Sequence, residues 1–306
     1  MSALHDSAAS LVRSLAGSLH SSLNSLSGLG GGDDSFSESP EIEGSQLSLE
    51  DQLIRLKNNE YQCYCRLKSQ VEEANIGRFV NDELILHFAQ CSPGKPYNSK
   101  TAWDVIRGYD PHNWSLKAKD LLPQLETQTL FPLPGLRSSE DHAMFYMNPS
   151  RFVPTADNEE TIVENLVYVI KSMRENHTRN RTHGIGLLIN MDGWEPKNFS
   201  KTYWVQFMRI LEGTVVPARI EMVLIVNPPK SGGFHSVFKL MKATLSKEFL
   251  EKIHRIPEAE LHKYLQSDYA FYLPEEMAEG LIPADEIVTT WIAERMEKEA
   301  TLGLEL

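Results

Sequence analysis

The chain has 306 residues and a formal net charge of −12, and 41% of its residues are hydrophobic. A chain of this length and apolar content can bury one large hydrophobic core or two small ones. The acidic balance argues against a nucleic-acid partner, because no basic stripe is available to neutralise phosphates.

Cysteine usage and hydropathy indicate the compartment. Cys63, Cys65 and Cys91 form no CxxC pair and no even framework, which is typical of a protein in a reducing cytosol. No apolar run approaches the roughly 20 residues that span a bilayer, and the N-terminus lacks the apolar segment of a signal peptide. We therefore expect a cytoplasmic protein.

Residues 1–47 form a leader rich in serine and glycine, and from about Gly28 their composition predicts disorder. Before that point the leader is either equally disordered or a helix that forms only on lipid, because serine and glycine form helices poorly in water. The second interpretation rests on apolar residues at helical spacing, namely Leu4, Ala8, Leu11, Leu15, Leu19, Leu23 and Leu26.

Residues 48–115 are predicted to form a small helical subdomain of three helices. Ser48 is expected to cap a first helix reaching Ala74, Asn81 a second, and Ser99 to start a third. His87 and Cys91 stand four residues apart, a spacing that suits two metal ligands. No further His/Cys pair lies nearby, so packing in the core is the better interpretation and no metal site is predicted.

The next segment leads into a sheet. Residues 116–129 are predicted to be helical, and the sequence FPLPGL at 131–136 to be a crossing stiffened by proline. Ala143–Met147 is a predicted edge or first strand, and a long helix is expected to start near Glu159.

Residues 184–253 organise the rest of the chain. The runs 185–191 and 222–226 are apolar on both alternations, which suits strands covered on both faces of a parallel sheet. Phe199, Tyr203 and Phe207 between them recur at helical spacing. The segment is therefore a predicted βαβ unit with a right-handed crossover.

After Asn227-Pro228-Pro229 a further helix is expected, with one apolar stripe that must lie on the sheet or on a ligand held by the sheet. The stripe consists of Phe234, Val237, Phe238, Met241, Leu245 and Phe249. Beyond it we expect a strand at 252–256, a short helix at 258–265, and a C-terminal helix and tail over 281–306. Pro283 is expected in the first turn of that last helix.

This order of parts resembles the CRAL-TRIO (Sec14-like) lipid-binding domain family over about residues 78–280. The most specific pieces are DELILHFAQ…AWDVI, VLIVNPP…FHSVFKLMKATLS and LPEEMAEG. The resemblance implies an α/β fold in which a mixed, mostly parallel sheet floors an apolar pocket behind a helical subdomain. Residues 116–280 would be the lipid-binding domain, and the helix over 231–247 its gate. Family members bind phospholipids, tocopherol or retinoids.

Carried over by position, the resemblance implies a pocket lined by Ile185, Leu187, Ile189, Phe207, Leu211, Val223, Ile225, Phe234, Phe238, Met241 and Leu245. Phospholipid-exchanging members have hydroxyl residues at the sites of Leu187 and Ile189, and phosphatidylinositol binders have a glutamate at the site of Ala218. Both headgroup sites are thus incomplete, which favours an apolar ligand. Lys239 and Lys242 either belong to a solvated face or contact a phosphate of the ligand or membrane. Lys242 matches the family's gate lysine.

We therefore expect a non-catalytic protein that holds a hydrophobic lipid of unknown identity, needs no other cofactor, and associates transiently with membranes. The alternatives are an adaptor that docks on membranes or proteins and, less favoured, a hydrolase. The chain has no GxSxG elbow and no HExxH motif. Asp192, at a strand end, could be a catalytic acid, but a role in the turn before Gly193-Trp194 is the better interpretation.

Overall fold

The computed structural model of the chain describes residues 48–91, 99–108, 110, 112–176, 180, 183–213, 215–230, 232–277 and 279–304. The predicted leader, with its amphipathic segment, lies outside these residues. The side chain of Met241 is also outside the described part of the chain.

A five-stranded sheet with strand order β1-β2-β3-β4-β5 forms the centre of the fold. The first pair of strands is antiparallel and the other three pairs are parallel. The strands are β1 Leu130–Arg137, β2 Ala143–Met147, β3 Ile185–Asn190, β4 Ile220–Val226 and β5 Ile253–Ile256. The predicted βαβ unit is confirmed as β3, a helix and β4.

The strand register sets which side chains share a face of the sheet. Met147, Ile189, Ile225 and Arg255 are aligned across β2 to β5 in one row. Residues two positions apart on a strand point to the same face, so the row formed by the residues two positions earlier lies on that face as well. This second row consists of Phe145, Leu187, Val223 and Ile253.

Helices precede the sheet and flank it. Those before the sheet are α1 Leu49–Ile54, α2 Asn58–Glu73, α3 Asp82–Gln90, α4 Ser99–Arg107, α5 His112–Ser115 and α6 Ala118–Leu125. Those connecting or following the strands are α7 Glu159–Asn176, α8 Lys201–Leu211, α9 Gly232–Thr244, α10 Lys247–Glu251 and α11 Ala284–Leu304. Among the described helices, none is long and apolar enough to cross a bilayer.

The buried side chains fall into two clusters. The larger one includes the strands of the sheet together with α6, α7, α8 and α11. The smaller one lies within the helices before the sheet from α1 to α5, called the helical lead below, where α2, α3 and α4 bury residues such as Leu67, Leu84, Phe88 and Ile106 against one another. The helical lead therefore has a hydrophobic core of its own.

The sequence FPLPGL is a strand, so its prediction as a crossing is wrong. It forms β1 at one edge of the sheet, which makes Ala143–Met147 the second strand rather than an edge or first strand. Proline is tolerated on an edge strand because the N–H group that it lacks would face away from the sheet. Pro132 and Pro134 exclude a central strand but not an edge strand, and for this reason the sequence suggested a crossing here.

The predicted first helix of the lead is two helices. The first helix ends at Ile54 and the second begins at Asn58. At this second start, the buried Glu60 carboxylate accepts a hydrogen bond from the backbone N–H of Lys57 at 2.8 Å. This is the N-terminal arrangement of a new helix. The caps at Ser48 and Asn81 are present as expected, accepting from the N–H of Asp51 at 3.1 Å and of Leu84 at 2.9 Å.

Candidate functional site

A small apolar cavity lies at the carboxyl ends of β2, β3 and β4. It encloses about 30 Å³, on a measure in which one water molecule needs roughly 10–15 Å³. Its floor is the row formed by Met147, Ile189 and Ile225, and Pro149 closes one side. In open α/β sheets the carboxyl ends of the strands are the usual place for a ligand.

The loop after β3 forms one wall. Asn190 Oδ1 accepts from the N–H of Asp192 at 3.1 Å, the N–H of Trp194 donates to the carbonyl of Met191 at 3.2 Å, and Gly193 takes a φ of 70°. Only a residue that tolerates positive φ fits there without strain. This tight turn brings Trp194 into the cavity wall, while the exposed Asp192 takes part in the turn.

The segment around the start of α8 forms a second wall, with Phe199 just before the helix and Tyr203 and Trp204 within it. Asn198 fixes this segment, because its side-chain amide donates to the carbonyls of Phe152 at 2.8 Å and Ser150 at 3.2 Å. The hydroxyl of Tyr203 in turn donates to the carbonyl of Asn198 at 3.2 Å. The aromatic wall is therefore held by hydrogen bonds to the segment that follows β2.

Helix α9 covers the cavity with Phe234 and Val237. The Phe234 ring lies 5.8 Å from that of Trp194, edge to face, and stacks on Phe238 at 6.0 Å. The remaining described side chains of α9 are exposed or half-buried. Helix α9 thus rests on its neighbours through a narrow apolar stripe.

Two cations flank Phe238 at the other end of that stripe. The Arg255 guanidinium lies 4.4 Å from the ring centroid, and the ammonium group of Lys242 lies 5.2 Å from it. Both side chains are exposed, as is Lys239, and no carboxylate within the described ranges forms a salt bridge with Lys242 or Arg255. The Arg255 contact therefore ties α9 to β5, whereas the Lys242 contact lies within α9.

The structure brings together only some of the predicted pocket residues. Ile189, Ile225 and Phe234 line the cavity. The others whose side chains are described lie buried in the larger core without lining it: Ile185, Leu187, Phe207, Leu211, Val223, Phe238 and Leu245. Their contact with a ligand remains a prediction, as does that of Met241.

The cavity also has lining residues that sequence reasoning missed. Phe199 and Tyr203 follow the helical spacing that predicts the helix of the βαβ unit, and neither is among the predicted pocket residues. Trp194 and Trp204 carried no assignment to the site. The available signal was the concentration of aromatic residues between the turn after β3 and the start of α8, which is typical of a ligand wall.

A partly buried polar cluster anchors the closing LPEE sequence. The Glu276 carboxylate accepts from the hydroxyl of Tyr146, the guanidinium of Arg151, and the amide of Asn148 at 3.0 Å. Burial, and then the hydrogen bond to Glu276, raise the pKa of Tyr146, so this hydroxyl stays protonated. Gly280 is needed nearby, since a Cβ there would lie 1.8 Å from the carbonyl oxygen of Pro274. These residues of the motif have a structural role.

A second charged cluster lies at the amino end of β4, far along the strand from the cavity. Glu221 pairs with Arg219 and, at 3.0 Å, with Lys252. Burial alone would raise the pKa of Glu221, but the hydrogen bonds from Arg219 and Lys252 outweigh it and lower that pKa. Ala218 beside them is 2% exposed. The charge at this end of the sheet is therefore internally paired.

In the part of the chain that the structure describes, no group of three or more His, Cys, Asp or Glu side chains is placed to hold a metal ion. His87 and Cys91 are both buried in the helical lead.

Comparisons with known proteins place this architecture. A model of the CRAL/TRIO domain matches residues 128–276. Among solved structures, the crystal structure of Sfh5 is similar, with a TM-score of 0.51, 13% sequence identity, and coverage of 79% of this chain and 98% of that chain. At this identity the likeness shows the fold alone. Among curated proteins nothing matches. Residues 128–276 therefore match the CRAL/TRIO domain family, and the fold is similar to that of Sfh5.

Proposed function

We propose that this protein holds a hydrophobic lipid between the sheet and α9 and exchanges it at membranes, without catalysing a reaction. The observation that carries the proposal is the cavity at the strand ends, whose described lining is apolar or aromatic. An apolar wall of this kind gains free energy by packing on an apolar ligand, at about 25 cal/mol per Å² of surface removed from water.

Entry of a lipid requires α9 to move, because the cavity is far smaller than the roughly 300–1,000 Å³ of ordinary ligand pockets. Two features support such a movement. Helix α9 rests on a narrow stripe, Asn227 in the segment before it has a φ of 53°, and Gly233 lies in its first turn. Residues of this kind absorb backbone rotation at hinges. We infer that α9 is the gate and that a lipid replaces its contacts with the floor.

Exposed cations beside α9 support a transient contact with membranes from the cytoplasm. Lys239 and Lys242 lie on its exposed face, and each lysine near an anionic surface contributes about 1 kcal/mol. Transfer of phosphatidylcholine and phosphatidylinositol is expected to be weak, because aliphatic Leu187 and Ile189 and the small Ala218 stand at the family's headgroup positions.

The test is the lipid content of the natively purified protein by mass spectrometry, together with uptake of labelled lipid from liposomes. Ile189→Asp places a carboxylate on the floor and should abolish both, and Ile189→Phe, which fills the cavity, should weaken both. Leu281→Asp is the matched control, because Leu281 is 61% exposed. Circular dichroism confirms that each variant folds. Absence of lipid from native extracts and of uptake by the wild type would reject the proposal.

The second candidate is an adaptor that docks on membranes or proteins with a permanently closed fold. The small volume of the cavity favours it. The same experiment separates the two, since an adaptor would neither retain lipid nor respond to Ile189→Phe.

A further inference from the structure

The indole N–H of Trp204 is an unused hydrogen-bond donor. Its Nε1 atom is shielded from solvent and finds no acceptor among the described residues. Tryptophan can only donate through this group, and an unpaired buried donor destabilises the fold. Buried polar groups are nearly always paired in native structures, so an exception calls for a functional explanation.

The Trp204 ring is held in place on several sides. It stacks on Phe207 at 5.6 Å with an interplanar angle of 12°, and meets Tyr203 nearly edge to face at 6.2 Å. Phe199 packs on it at 6.1 Å. Turning the indole to reach another acceptor would break these contacts, so the N–H stays where it is.

Trp204 lines the cavity, which is where an acceptor can come from. Among the described lining side chains only Tyr203 carries an oxygen, and its hydroxyl donates to the carbonyl of Asn198. Trp291 provides the contrast: its indole N–H is likewise buried without an acceptor among the described residues, but Trp291 does not line this cavity. The position of Trp204 on the cavity, rather than the missing partner alone, points to a ligand.

We propose that Trp204 makes the cavity selective for neutral lipids that carry a carbonyl or hydroxyl oxygen, by donating its N–H to that oxygen. The described lining contains no cation, which disfavours a phosphate or carboxylate as the acceptor. A cavity of about 30 Å³ has room for such an oxygen-bearing end. The apolar remainder of the molecule then takes the place of α9 on the floor. This inference rests on the proposed function.

A competition between two probes that differ only in the acceptor tests it. Vesicles of phosphatidylcholine deliver 2-heptadecanone and n-heptadecane together, and gas chromatography measures each compound bound to the reisolated protein. The wild type should prefer the ketone by about tenfold, the size of one buried hydrogen bond. Trp204→Phe should bring the two compounds to near parity, mainly by losing ketone.

Two further variants separate the N–H from the ring. Benzothienylalanine at position 204 keeps the bicyclic shape, has a sulfur atom in place of the N–H, and should behave like Trp204→Phe. Trp291→Phe is the matched control and should keep the ketone preference.

Nuclear magnetic resonance gives a direct readout. Among the five tryptophans, the indole signal of Trp204 is the one absent from Trp204→Phe. It should shift downfield with the ketone but not with the alkane. If ketone binds without moving this signal, water satisfies the N–H and the inference is wrong.

Equal binding of both compounds by the wild type, or an equal loss of both in Trp204→Phe, means that the ring only packs, and it overturns the inference while the proposed function stands. Binding of neither compound, with no lipid in native extracts, overturns the proposed function itself.

Discussion

Helices α9 and α11 both bury apolar side chains in the larger core, but α11 adds a buried cation to that attachment. Helix α11 is fixed by Arg295, which is 3% exposed and lies 2.9 Å from Glu175 and 3.1 Å from Glu299. Its Nε donates to the hydroxyl of Tyr168 at 3.0 Å. Helix α9 instead rests on its neighbours through the rings of Phe234 and Phe238.

The two helices differ in the interactions that each would lose if it moved away from the core. Charges removed from water are tolerated only when matched, so separating Arg295 from its partners would strand buried charge. Glu299 also accepts from the N–H of Ala118 at 2.9 Å and from the hydroxyl of Tyr168 at 2.6 Å. Apolar contacts carry no such requirement, because a lipid can replace them. Buried charge therefore suits a permanent attachment, and apolar packing suits an exchangeable one.

The largest expected effect comes from removing the central cation of α11. Arg295→Met leaves the half-buried Glu175 and Glu299 carboxylates without this cation, and should lower the free energy of unfolding by up to about 3–5 kcal/mol. Urea denaturation measures it. Lys263→Met is the control, because the exposed pair of Lys263 and Glu260 at 3.2 Å should contribute only about 0–1 kcal/mol. A loss below that of the control would break the comparison between the helices.

A smaller effect is expected on α9. Phe207→Ala removes a fully buried ring of α8 and should cost about 3–5 kcal/mol. Phe234→Ala should cost less, about 1–2 kcal/mol, because Phe234 borders the cavity and lacks packing partners on that side. Urea denaturation of both variants and lipid uptake from liposomes are the measurements. Equal costs for the two rings would show that α9 is packed as firmly as the core.

The cations beside Phe238 allow a finer test. Arg255→Ala removes one cation–π contact between β5 and α9, and should loosen α9 by about 0.5–1 kcal/mol. Hydrogen exchange should then accelerate in the amides of α9 and remain unchanged in those of α11. Acceleration spread over both helices would mean that Arg255 supports the whole fold rather than the gate.

The smallest effect concerns pH. The folded state lowers the pKa of Glu221 despite its burial, so this carboxylate contributes stability above its unfolded pKa and loses it as pH falls through the lowered value. Glu221→Gln should be less stable than the wild type at pH 7, and the difference should shrink in acid. Unfolding free energies at pH 7 and pH 3 test this, and a difference that persists in acid would assign the effect to shape rather than charge.

Hydrophobic patterns over short stretches of sequence predicted the helices and strands whose signal lies within those stretches. The runs of β3 and β4 are apolar on both alternations and lie close together in the chain, so they identified the βαβ unit. Strand β1 was not predicted, because Pro132 and Pro134 are unfavourable in most strands. They fit here because β1 lies at the edge of the sheet.

The site was harder to predict, because its chemistry depends on tertiary contacts. Trp204 stands one position from the Phe199–Tyr203–Phe207 spacing, and nothing in the sequence shows that its N–H lacks a partner. The same holds for Glu276, whose hydrogen bond to Tyr146 spans 130 residues. Such contacts have no signature in a single sequence.

The two outer strands have a consequence for aggregation. An open sheet exposes a row of N–H and carbonyl groups at each edge, and another chain can add a strand there. Here β1 carries Pro132 and Pro134, which offer no N–H, and β5 has only four residues with the exposed Arg255 among them. Proline, charge and shortness are the features that discourage strand addition. A lifted α9 would expose apolar surface, and these edges reduce the chance that such an opening is followed by growth into fibrils.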